Sequence, residues 1–145
     1  MQDGVAAFVS FQGGASAGLG QAEAAVQGAV VMSGRFTYLD LLPDEKMLPR
    51  YAKAWGERDT NLEMWRQHGA LDYLSGATLP LFLTINCTES PEALHQMDVL
   101  RARLTKLGSP FTFRLDEEAR GHKVTLDPEI LRAMNVYLNQ RLNQQ

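Results

Sequence analysis

Apolar positions along the 145-residue chain fall into two patterns, short unbroken runs and stripes at helical spacing. Unbroken runs occupy residues 5–11, 29–33 and 79–85, with glycines at 28 and 34 bracketing the second. A run of that length suits a strand buried on both faces of a parallel sheet. Residues 111–115 alternate instead, which predicts a strand at the sheet edge. Between the runs the period changes. After Ser90-Pro91, an N-cap followed by a proline that needs no N–H partner, Leu94, Met97, Leu100, Leu104 and Leu107 form one stripe as far as Gly108. After Asp127-Pro128, Ile130, Leu131, Met134, Tyr137 and Leu138 point inward from a second helix, with the tail from Asn139 expected to fray. Small residues between Ser16 and Gly28 suit a third helix packed closely under a sheet. The expectation is a single α/β domain over 1–145, with three α/β/α layers, about four parallel strands and helices on both faces.

Residues 35–78 interrupt this rhythm with Pro43, Pro49, Tyr51, Trp55 and Trp65, and predict short helices forming a cap insertion. Thr60 and Glu63 have the spacing of a capping box for a helix through Met64, Trp65 and Gln67. Trp55, Trp65 and Tyr73 read as packing aromatics.

Composition narrows the function. A formal net charge of -3, with lysines and arginines scattered, leaves no footprint for nucleic acid or an anionic membrane. No apolar stretch approaches a membrane span, and the N-terminus lacks the order of a secretion signal. Cys87 is the only cysteine, so no intrachain disulfide forms, no Cys/His spacing suggests zinc, and a reducing, cytoplasmic setting fits. No metal or cofactor is expected.

The candidate chemistry lies where the strands end. Gly14-Ala15-Ser16-Ala17-Gly18 has the Gly-x-Ser-x-Gly pattern of a nucleophile elbow, in which a strained turn exposes the serine only if its neighbours at minus two and plus two are nearly bare. Ser16 follows the first strand, Glu89 the third and His122 the fourth, and parallel sheets build their sites at that end. A base to take the serine proton and a carboxylate to hold that base in one tautomer complete a triad. His95 and His68 read as surface residues. Glu92 reads as an anion favoured by a helix N-terminus, Asp116, Glu117 and Glu118 as a solvated run, and Cys87 as a small buried hydrophobe.

On these residues the chain resembles the C-terminal half of an α/β-hydrolase of the esterase/lipase superfamily. Gly14-Ala15-Ser16-Ala17-Gly18 is similar to its elbow, residues 79–89 to its acid strand and loop, and Gly121-His122 to its histidine loop. Glu89-Ser90-Pro91-Glu92 with Gln96 is most similar to the kynurenine formamidase and feruloyl-esterase-like branch. The resemblance implies a truncated α/β-hydrolase fold and a serine hydrolase of short-chain carboxylic esters. Ser16 is then the nucleophile, His122 the base, Glu89 its orienting acid and the Ala17 N–H an oxyanion donor. The substrate would be a small ester or N-formyl amide. No His-Gly-Gly-type oxyanion loop has a counterpart here, so the alternative stays open of a non-catalytic or incomplete hydrolase-like fragment with an assembly or binding role. A bare edge on strand 5–11 further predicts a homo-oligomer.

Overall fold

The computed structural model describes residues 28–75, 79–122 and 127–143. Three parallel strands, β1 (Ala29–Val31), β2 (Leu81–Asn86) and β3 (Phe111–Asp116), form a sheet in the order β1-β2-β3. The register pairs Val30 with Phe82 across β1 and β2, and Asn86 with Asp116 across β2 and β3. The expected strand and elbow at 5–18, and the helix after it, lie outside the described residues.

Each face of the sheet has a helical layer, because alternate residues of a strand point to opposite sides. Helix α3 (Pro91–Leu107) covers the face that carries Val31, Leu81, Leu83 and Ile85, and contributes Met97, Leu100 and Leu104. Helix α4 (Pro128–Leu142) covers the other, placing Ile130, Met134 and Tyr137 against Val30 and Phe82. Central β2 is buried at every position, which is why its sequence is a run and not an alternation. Edge β3 alternates up to Arg114, and Arg101 lies over its Phe113 ring at 3.9 Å.

Local chemistry fixes the helix ends. Ser90 Oγ accepts from Ala93 N at 3.2 Å, and Asp127 Oδ2 accepts from Glu129 N and Ile130 N at 2.9 and 3.2 Å. Two details of α4 differ from expectation. Leu131 is exposed, because the helix meets the sheet along one narrow stripe, and Asn139 continues the helix to Leu142, with the Asn143 N–H closing on its carbonyl at 3.0 Å. Tyr137 ties α4 to the strand starts: its hydroxyl accepts from Ala29 N at 3.1 Å and donates to Pro80 O.

Residues 35–75 carry helices α1 (Leu48–Trp55) and α2 (Leu62–Gln67) and a 3-10 turn at Leu71–Tyr73. The Thr60–Glu63 capping box does not form. Asn61 is the N-cap, without a side-chain cap bond, and the Thr60 hydroxyl donates instead to Glu57 O at 3.2 Å. Tyr51 stacks on Trp55 at 5.1 Å and Trp65 is edge-on to Trp55 at 5.4 Å, whereas Tyr73, expected to pack, is exposed. His68 belongs to this aromatic cluster and is not a free surface residue. Its ring stacks on Trp55 at 4.1 Å and its Nδ1 donates to Met64 O at 2.7 Å.

The segment hangs on α3 through two buried polar side chains. Gln96 Oε1 accepts from Phe36 N and Thr37 N at 2.9 and 3.0 Å, and its Nε2 donates to Asp40 O and Glu92 Oε1 at 2.9 and 2.8 Å. Glu92 also accepts from Leu42 N at 2.8 Å. Glu92 lies in the first turn of α3, as expected, and beyond that it holds a loop fifty residues earlier in the chain. His95, expected at the surface, is part-buried beside it and donates from Nε2 to Asp40 Oδ1 at 2.9 Å.

Candidate active site

Two loops leave the C-terminal ends of neighbouring strands and meet. After β2 the chain turns through Cys87 and Thr88 to Glu89, whose N–H returns to Asn86 O at 3.1 Å. After β3 it runs through residues 117–120 to Gly121, whose φ of 60° is left-handed and favours a residue without Cβ. That turn delivers His122. Its Nδ1 lies 2.6 Å from Glu89 Oε1, with the Glu89 side chain 8% exposed and the His122 ring 78% exposed.

The arrangement has a chemical direction. A carboxylate can only accept, so Nδ1 carries the hydrogen in this contact, and in the ring's neutral form Nε2 is the nitrogen left without one. The carboxylate is sheltered and the imidazole is open to solvent. Ser16 and Ala17, the expected nucleophile and oxyanion donor, lie outside the described residues. Of the expected site residues, the structure therefore places Glu89 and His122 in contact.

The surroundings revise two further expectations. Asp116 is not part of a solvated run: it is buried at the end of β3, receives Asn86 Nδ2 at 2.9 Å and pairs with Arg120 Nε at 3.2 Å. Cys87 is part-exposed, with Sγ 3.3 Å from Glu117 O. Asn86, which sequence reasoning missed, bonds to both loops. The one available signal was a polar residue closing the apolar run of β2.

A cavity of about 540 Å³ opens between the end of β3 and the start of α4, lined among others by Arg114, Asp116, Glu118, Glu129 and Arg132. Neither Glu89 nor His122 lines it, so it is not the space in front of this pair. Among the described residues no group of three or more His, Cys, Asp and Glu gathers to hold a metal, and no helix is long and apolar enough to cross a membrane.

The α/β architecture with its parallel sheet is consistent with part of an α/β-hydrolase-like fold. Among solved structures it is similar to dipeptidyl peptidase 4 of Porphyromonas gingivalis, at a TM-score of 0.60 and 11% identity over 83% of this chain. The match spans 16% of that protein's length. A scan of protein-family models and a search of curated protein sequences return no match.

Proposed function

We propose that the chain is a serine hydrolase acting on short-chain carboxylic esters or N-formyl amides. The observation that carries the reading is the 2.6 Å contact of His122 Nδ1 with Glu89 Oε1 at the C-terminal ends of adjacent parallel strands. It is supported by the elbow pattern around Ser16 and by a fold shared with a peptidase. In the proposed reaction Ser16 Oγ attacks the carbonyl carbon as its proton passes to His122 Nε2, and the Ala17 N–H donates to the oxyanion. Glu89 holds the imidazole in the tautomer that leaves Nε2 free and stabilises the imidazolium. The same proton then goes to the departing alcohol or amine, and water repeats the sequence to release the acid.

The test is covalent labelling by a fluorophosphonate, read by intact mass, alongside turnover of p-nitrophenyl acetate. Labelling at Ser16, with turnover abolished by Ser16→Ala in a folded protein, is expected. Unchanged turnover in pure Ser16→Ala protein refutes the assignment. Absence of both labelling and turnover in the unmodified chain favours the non-catalytic reading.

A further inference from the structure

The acid and histidine loops are both held by one side chain. Asn86 ends β2 directly across from Asp116, which ends β3, and both are buried. Asn86 Oδ1 accepts from Thr88 N and Thr88 Oγ1 at 2.9 and 2.6 Å, on the acid loop. The same oxygen accepts from Gly121 N and Arg120 N at 3.2 and 3.3 Å, on the histidine loop. Its Nδ2 donates to Glu118 O at 2.6 Å and Asp116 Oδ2 at 2.9 Å. Thr88 Oγ1 closes the ring by accepting from Gly121 N at 2.9 Å.

An amide is suited to this position. Its two hydrogens go to two acceptors while its oxygen gathers donors from both loops, a combination that neither a carboxylate nor an aliphatic side chain of that size provides. The bonds end one residue short of each partner, at Thr88 before Glu89 and at Gly121 before His122. The exposed His122 ring has, among the described residues, a single polar contact, the one to Glu89. Its place is therefore set by the backbone that delivers it.

We propose that Asn86 is a positioning residue that fixes the separation of Glu89 and His122 by clamping both loops to the ends of β2 and β3. Its effect on turnover rests on the hydrolase reading, but its effect on the loops does not. The experiment measures ester hydrolysis and amide hydrogen exchange on the unmodified chain, Asn86→Ala and Thr88→Val. A misplacement of about 1 Å at a reacting group costs up to about 100-fold, so Asn86→Ala should lower kcat by about that factor while KM stays within about two-fold. The Arg120 and Gly121 amides should lose protection while those of Leu83 and Ile85 keep it. Thr88→Val, at an exposed position, should shift both readouts in the same direction by less.

Unchanged kcat together with protected Arg120 and Gly121 amides in Asn86→Ala overturns the proposal. So does loss of protection throughout β2 alongside kcat and KM, which is a structural role only. If Asn86→Ala does not fold, Thr88→Val decides: wild-type kcat and exchange there overturn the clamp. Failure of the hydrolase reading shows separately, as an unmodified chain with neither turnover nor a labelled Ser16. In that case exchange at Arg120 and Gly121 still decides whether Asn86 holds the loops.

Discussion

Replacing Gln96 by methionine, nearly equal in length and volume, removes four hydrogen bonds at a side chain with no exposed surface. Packing changes little, so the loss isolates the polar contribution. Phe36 N and Thr37 N lose their acceptor, Asp40 O loses a donor, and buried Glu92 keeps only Leu42 N of its two partners. Each buried polar group left unpaired costs about 1–3 kcal/mol, and if two of the four recover through water or relaxation, the remaining two give about 2–6 kcal/mol. Against a domain stability of about 5–15 kcal/mol, that is a large fraction. Urea denaturation of Gln96→Met should show a fall in unfolding free energy of that size, read as a lower midpoint with little change in slope. Amide exchange should find Phe36 and Thr37 deprotected first, because those N–H groups lose their bonds directly. A loss below about 1 kcal/mol, with Phe36 and Thr37 still protected, would show that the loop is held by its apolar contacts and refute the reasoning.

Four further outcomes follow from the same contacts. Burial raises the Tyr137 pKa above its ordinary 10.0, with smaller opposing effects from the Ala29 N–H and Arg141. The unfolded chain then ionises first, so this contribution is complete below pH about 10 and is lost as pH rises through the folded value; Tyr137→Phe should flatten the alkaline limb of stability in urea titrations. Gly69→Ala would set a Cβ 2.9 Å from Phe36 O and 3.0 Å from Thr37 Cα, both backbone, and should cost about 1–3 kcal/mol in thermal unfolding. Leu83→Ala, at a fully buried position of β2, should cost about 2–5 kcal/mol by urea denaturation. On the proposed hydrolase reading, Glu89→Gln should lower kcat by about two to four orders of magnitude, whereas Glu92→Gln should act chiefly on stability; equal kinetic effects would move the acid elsewhere.

The parts of the fold legible in the sequence are those whose cause is local. The run that becomes β2 is apolar because both its faces are covered, and Ser90-Pro91 and Asp127-Pro128 begin helices because a cap and a proline act within one turn. The order of Glu89 and His122 after successive strands was equally readable. The missed features act over long separations or between competing local bonds. Gln96 and Glu92 meet loop partners fifty to sixty residues away, which no periodicity announces. Asp116 looked solvated among acidic neighbours, yet its position at a strand end beside Asn86 buries it. Thr60 had the spacing for a cap, but its hydroxyl found the Glu57 carbonyl instead. Asn86 was missed because its meaning lies in two loops that come together only once β3 pairs with β2.

That pairing makes the Glu89–His122 separation a property of the sheet's repeat distance. Parallel neighbours stand about 4.8 Å apart, and Asn86 and Asp116 leave their strands on the same rung. Three residues of one loop and six of the other span the remaining gap. Apart from Asn86 and Asp116 at their ends, side chains along β2 and β3 could be exchanged extensively without disturbing the pair, provided the register held. A slip of β3 by one residue would displace the origin of the His122 loop by about 3.3 Å and turn Asp116 to the opposite face. The quantity the sheet transmits to its ends is thus an alignment, one that many different sequences could supply.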